Sequence, residues 1–433
     1  MVNNIIVSKL IKKIYVDSLI KNSIYLIAAT LFNAVLGFFF WMIAAKYYVP
    51  NDVGITSAIL SAMSLISMIS LIGFPNTLIF YLPRDSKNAN MIINSCLTIC
   101  IVISMVFSLI FILGIEVWTP ELKLVSNNLG TIVIFVMATI LTTISAIMSG
   151  VFTAGRRSSF HMTKENIFGF IKIFPLILFV GLGTMGIFIS WFIGLVATIT
   201  IGFILLSKLW NYSPIFTFDP IIKNIARFSC GNYIAGIFYS LPRLILPIMI
   251  VDLNSAESAG YFFIASTMAG LLYGISQSIS SSFLAESSEK DKFWNNVKKA
   301  IRFNVMLLIP GLLLFMILGK FVLNLFNHSY AEHATTTLII LAIASVPLSA
   351  INIFTTVRNA QKRIGSTIKI NAIVATITLI LAIPLMKVMN IEGAALAFLI
   401  GNIIGAIIVI IRIKNPVEFT LKLLKVKKDV VTI

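Results

Sequence analysis

Three basic side chains fall inside long apolar runs: Lys172, Arg243 and Lys320. A cation at the centre of a membrane-crossing helix costs about 2.5–3.5 kcal/mol on insertion scales, so it faces a cavity, meets a partner or snorkels to a helix end. Arg243 is the deepest of the three. It follows Ser240-Leu241-Pro242, and Pro242 and Pro247 free backbone groups there that need protein or a wet cavity. Lys172 and Lys320 lie within about two helical turns of a run's end, so snorkelling competes with a cavity role. Asn33, Asn76, Asn232, Tyr239 and Gln277, with Tyr233, Asn304 and Asn371, are polar positions in the same runs. Amides and phenols beside aromatic rings suit sugar hydroxyls, and they suit interhelical hydrogen bonds equally. All sixteen Asp and Glu side chains fall in loops, tails or span ends on this reading. An interior with cations and no carboxylate invites an anionic substrate as its counter-charge. The chemistry expected is therefore electrostatic capture of an anion, with no bond made or broken.

Enzymatic signatures are missing. Cys96, Cys100 and Cys230 lie in or beside apolar runs, while His161, His328 and His333 sit in loops far along the chain, without metal-ligand spacing. The thiols read as small core residues. No glycine-rich phosphate loop with its lysine is present, and the longest loop, about twenty residues, holds no cluster of carboxylates or histidines. The sequence calls for no cofactor, no metal and no catalytic residue.

The elements that carry these residues follow from composition. Of 433 residues, 58% are apolar or aromatic and 11% charged, against roughly 25% charged in a soluble domain. Mean hydropathy is +1.00. That excludes a soluble enzyme, a disordered chain and a single-span receptor, and leaves an all-α polytopic membrane protein. A crossing needs about 20 apolar residues. Twelve such runs lie near 22–45, 56–82, 91–115, 129–152, 167–183, 185–207, 228–251, 260–284, 303–327, 334–357, 367–386 and 393–411.

Charge tests the count, because Lys and Arg gather in cytoplasmic loops. With the N-terminus inside, all but six of the 33 Lys and Arg residues fall on the cytoplasmic side or at its margins. Three lie in outer loops (Lys46, Lys123, Lys387), and the remaining three are the candidates within the spans. Both termini are then cytoplasmic, in a cell membrane. The net charge of +17 is spread over short segments, unlike a nucleic-acid surface. Lys9, Lys12 and Lys13 precede too long a run for a cleaved signal. Residues 1–21 read instead as an amphipathic helix on the membrane surface, and the segment around Phe293, Trp294 and Val297 and the basic tail at 412–433 read similarly.

The chain divides into two halves, 22–208 and 228–411, joined by a linker at 209–227. Gly54 has a counterpart in Gly260, and Arg156-Arg157 in Lys362-Arg363, each at an offset of 206; Gly186 and Gly194 match Gly393 and Gly401 at 207. Two sets of six spans that both start inside are parallel repeats, enclosing a cavity near the midplane.

Residues 19–82 carry a likeness to a known family: Leu19-Ile-Lys-Asn-Ser23 opening the first span, Phe40-Trp-Met-Ile-Ala-Ala-Lys-Tyr-Tyr48 closing it, and Asp52-Val-Gly54 leading a Ser/Ala/Met-rich second helix. This pattern resembles the polysaccharide-biosynthesis (Wzx-type) flippases of the multidrug/oligosaccharidyl-lipid/polysaccharide exporter superfamily. The basic pair after the fourth span and the repeated half extend the resemblance along the chain. It implies two six-helix lobes in a V shape, as in MATE transporters. It also implies transfer of a polyprenyl-phosphate- or pyrophosphate-linked oligosaccharide to the outer leaflet, through a cavity lined by cations such as Arg243 and Lys172. Membrane lipids and glycan polymerase or ligase machinery are the implied partners of a monomeric carrier. The alternative is a MATE-like cation-coupled drug or metabolite antiporter. Such exporters resemble this architecture but carry an embedded carboxylate, where this chain has Asn33 in its first span.

Overall fold

The computed structural model describes residues 18–85, 88–210, 212–219, 221–286, 293–361 and 363–412, with side chains from Phe32 onward except at 221–232, 281–286, 293–294 and 412. The expected surface helix up to residue 17 and the basic tail from 413 lie outside the described residues. Every regular element among those described is helical, as a chain with no water to satisfy its backbone requires. The elements are α1 (Ser18–Tyr47), α2 (Pro50–Ser70), α3 (Phe74–Tyr81), α4 (Ala89–Trp118), α5 (Leu129–Ala154), α6 (Ser158–Ile171), α7 (Ile173–Leu178) and α8 (Thr184–Trp210). After the linker come α9 (Ile221–Leu253), α10 (Ala256–Glu286), α11 (Phe293–Phe326), α12 (His328–His333), α13 (Thr335–Ala360) and α14 (Ile364–Arg412). Among the described residues, nine helices are long and apolar enough to cross a membrane. The protein is a multi-pass membrane protein.

Several boundaries differ from the hydropathy reading, for one physical reason. Hydropathy marks where a helix meets hydrocarbon, whereas backbone hydrogen bonding carries the helix on through polar residues. Thus α9 starts at Ile221 and α11 at Phe293, before the apolar runs at 228 and 303. The largest difference falls at the fifth run. Arg156 takes a left-handed conformation (φ 54°) that ends α5, and α6 begins at Ser158. His161, Lys164 and Glu165, read as loop residues, are therefore helical.

Breaks are local and have identifiable causes. Between α2 and α3 the chain turns through Ile72 (φ 47°) and Gly73 (φ 83°), and Pro75 sits in the first turn of α3. A β-branched residue at positive φ is rare and costly, so Ile72 is held there by its surroundings. In α14, Met389 and Asn390 leave helical angles, which makes it two helices joined at a corner. Asn254 fixes that corner by donating to Met386 O (3.2 Å) and to Asn390 Oδ1 (2.9 Å).

The contacts divide the chain into two units. The first holds Met63–Cys230 with the helix ending at Tyr47; the second holds Tyr48–Ala62 with the chain from Gly231 onward. In the first unit, α3, α4, α5 and α8 bury Phe74, Leu78, Cys96, Cys100, Phe152 and Leu206 in one core. Cys96 and Cys100 are free and buried. Residues 212–219 run against α4. Asn94 Nδ2 donates to Ser213 O (2.8 Å), and Asn94 Oδ1 accepts from the Tyr212 hydroxyl and from Ile215 N (3.2 Å). Ser95 Oγ accepts from Asp219 N (3.2 Å). Burial pushes the Tyr212 hydroxyl up to about 12, so it remains a proton donor to Asn94 at neutral pH.

In the second unit, α13 and α14 pack Ile351, Phe354, Ile370 and Val374 together. The segment 48–62 belongs here because Gly54 meets the backbone of Ala256 and Gly260 directly. A Cβ on Gly54 would overlap the Ala256 carbonyl, and one on Gly260 would overlap that of Pro50. These two glycines thus form a single backbone-to-backbone crossing, the close approach small residues permit between membrane helices.

Candidate functional site

Each unit carries one polar constellation. In the first, α1 and α6 run side by side with matching steps. Asn33 Nδ2 donates to Glu165 Oε2 (3.3 Å). One turn on, Gly169 lies against the Leu36 side chain, and a turn further Lys172 Nζ stands 4.7 Å from the Phe40 ring centroid. Glu165, Phe168 and Lys172 are spaced i, i+3, i+7, which puts them on one helix face.

Lys164 points the other way, toward α5. Its ammonium donates to Ser145 O (3.0 Å) and Oγ (2.6 Å) and pairs with Glu165 Oε1 at 2.7 Å. Its side chain is fully buried. Asn33 stands at the middle of α1, so the Glu165 carboxylate reaches mid-helix depth. This corrects the expectation that all Asp and Glu side chains lie in loops or span ends. The physical reason is the early start of α6, which folds a polar stretch into the bundle, where Lys164 neutralises the carboxylate.

Lys172 is 3% exposed and is enclosed by three rings. Its Nζ lies 4.7 Å from Phe40, 4.3 Å from Phe168 and 4.2 Å from Trp191. These are cation–π distances on three sides.

In the second unit, Arg243 stacks its guanidinium over the Tyr239 ring, 4.9 Å from the centroid. Both line a cavity of about 20 Å³, together with Pro242, Asn371, Phe398 and Asn402; that volume is about the room one water needs. Asn371 Nδ2 donates to Ala235 O (2.9 Å), tying α14 to α9. Asn402 Nδ2 donates back to Phe398 O (2.8 Å), and its buried Oδ1 has no hydrogen-bond partner among the described residues.

Of the residues singled out in the sequence, Arg243 and Tyr239 come together, and Lys172 and Asn33 lie two turns apart along one seam of the other unit. Asn76 is exposed in the first turns of α3, and Gln277 is exposed on α10. The side chain of Asn232 lies outside those described. Lys320 is exposed on α11 between exposed Ile317 and Phe321, on an apolar surface rather than in a cavity of its unit. Asn304 exchanges hydrogen bonds with Ser276 (3.2 and 3.3 Å). Sequence reasoning missed Lys164, Glu165, Asn402 and the ring set around Lys172. For Glu165 a signal existed in its spacing with Phe168 and Lys172. Among the described residues, no group of His, Cys, Asp and Glu is arranged to hold a metal.

The fold is that of known membrane transporters. It is similar to the lipid II flippase MurJ in an inward closed conformation (TM-score 0.75, 17% identity, covering 92% of this chain and 90% of that one). It is also similar to an inward-facing multidrug resistance MATE family transporter of the MOP superfamily (0.70, 12%, 92% and 96%). A third is a MOP superfamily transporter from Pyrococcus furiosus (0.61, 12%, 95% and 96%). No curated protein sequence matches this chain. Residues 19–281 match the family described as polysaccharide biosynthesis protein, and the chain belongs to that family.

Proposed function

We propose that this protein is a non-enzymatic flippase. It moves a polyprenyl-phosphate- or pyrophosphate-linked oligosaccharide from the cytoplasmic to the outer leaflet of the cell membrane, for surface polysaccharide synthesis. The family match over residues 19–281 is the observation that carries this reading, and the fold shared with a lipid II flippase supports it. The working architecture is twelve spans in two parallel six-helix repeats, with both termini cytoplasmic. Support for that count comes from the corner at Met389-Asn390 inside α14 and from the 30-residue length of α1.

Arg243 is the residue assigned to the substrate phosphate, since a guanidinium offers a planar fork of donors to such an anion. Its stacking on Tyr239 holds the fork in place. Asn371 and Asn402 supply polar groups to the same cavity, and Asn76, Asn232 and Gln277 are assigned to the sugar. Arg243→Ala is expected to abolish surface glycan export while membrane insertion stays normal, and Arg243→Lys to retain part of it. Unchanged surface glycan in the Ala variant would overturn the assignment.

A second reading, a cation-coupled small-molecule antiporter, gains one specific observation in Glu165, an embedded carboxylate. Its pairing with Lys164 at 2.7 Å weighs against a free cation-binding role. Dye efflux from vesicles under a proton or sodium gradient would favour this second reading. The flippase reading expects none.

A further inference from the structure

We infer that Lys172 takes up and gives back a proton inside its aromatic box, making the first unit a proton-coupling site of the carrier. The inference goes beyond the flippase reading and concerns what drives the cycle, whatever the substrate.

The contrast with Lys164 carries it. Lys164 has a carboxylate oxygen, a hydroxyl and a carbonyl around its ammonium, all within 3.0 Å. Lys172 is almost as deeply buried, yet no hydrogen bond or ion pair to its Nζ is found among the described residues. Three aromatic rings meet it instead. A protonated amine gains from three negative ring faces, and a neutral amine costs far less to bury in the same apolar space than an unpaired charge does. Both charge states are therefore accommodated in one box, which an ion pair would forbid.

The backbone around the box is built to hold and release it. Lys172 sits at the junction of α6 and α7. Pro175, three residues on, cannot donate a hydrogen bond back into the preceding turn. Across the seam, Gly194 of α8 leaves room: a Cβ there would stand 3.0 Å from the Lys172 Cβ and 3.1 Å from the Phe168 ring.

The charged surroundings are few. On its own helix the nearest is Glu165, already shared by Lys164 and Asn33, with His161 a turn beyond. α1 and α8 face the box with Phe40 and Trp191; of the titratable side chains described on them, Lys46 and Tyr47 follow Phe40 by about two turns at the near end of α1, and Lys208 lies at the far end of α8. α5 has none. The step is a simple exchange. The amine lone pair takes a proton from water on one side of the membrane, the ammonium returns it to water on the other, and no other bond changes.

Trp191 is a built-in reporter, since its ring lies 4.2 Å from the titrating nitrogen. The test is tryptophan emission of the full chain in liposomes, scanned over roughly pH 5 to 9, where an ordinary lysine stays charged. A reversible one-proton step is expected, lost in Lys172→Met and in Lys172→Arg and kept in His161→Gln. A wild-type protein without the step, or a step that survives Lys172→Met, overturns the inference. If Lys172→Met does not insert, Phe168→Leu opens one wall of the box and is expected to move the midpoint; an unmoved midpoint counts against the proposal. In cells, Lys172→Arg is expected to cut surface glycan by an order of magnitude at normal membrane abundance, and full export would overturn the coupling role. Loss of export in Arg243→Ala with the emission step intact would separate substrate binding from proton binding.

Discussion

The Glu165 carboxylate is anchored on both oxygens, by Lys164 on one and Asn33 on the other. A buried pair of this kind adds little net stability, but removing one member strands the other in a medium that cannot solvate it. Glu165→Gln is therefore expected to destabilise the protein by about 3 kcal/mol, seen as a lower melting temperature in detergent. Lys164→Met combined with Glu165→Gln should recover most of that loss, because no unpaired charge remains. If the single and double variants melt alike, the pairing is not what holds the seam. The sequence made Arg243 and Lys172 visible because each stands alone in an apolar run. It hid Lys164 and Glu165, which follow Arg156-Arg157 and His161 in a stretch polar enough to pass for a loop. Nor could pattern alone reveal the rings around Lys172, which come from three helices. Asn402 stands in a uniformly apolar run, where nothing local distinguishes it from an interhelical amide.

At the level of elements, hydropathy located the helices well and their ends poorly, since it registers hydrocarbon and not backbone hydrogen bonds. The linker is the clearest case. Residues 209–227 read as a plain connection, yet 212–219 lie along α4, held by side chains of Asn94, Ser95 and Thr98. Asn94 makes three of these bonds, to Ser213, Tyr212 and Ile215. At about 1 kcal/mol per hydrogen bond, Asn94→Ala should loosen the segment without unfolding the bundle. Limited proteolysis of membrane vesicles is expected to cut near Ile215-Phe216 several-fold faster in that variant. Equal cleavage would mean that packing, and not Asn94, fixes the linker.

For the whole molecule, we read the +17 net charge under the charge rule as an orientation signal, in keeping with the proposed twelve-span architecture. Glycines at constant offset stood out in the sequence, although only the structure shows why Gly54 and Gly260 resist a side chain: a Cβ on the first would overlap the Ala256 carbonyl and one on the second the Pro50 carbonyl. Gly54→Leu is accordingly expected to reduce folded protein in the membrane sharply, as overpacking a tight contact does, measured as the monodisperse fraction after extraction. The same crossing makes the two halves of the chain unequal as independent pieces. Residues 48–62 are encoded with the first half and packed with the second. A polypeptide starting after the linker would lack a helix segment that its own core expects, and one ending there would carry that segment without its seat. Co-expressed, the two fragments should complement each other by donating and receiving this one stretch, while neither alone should accumulate.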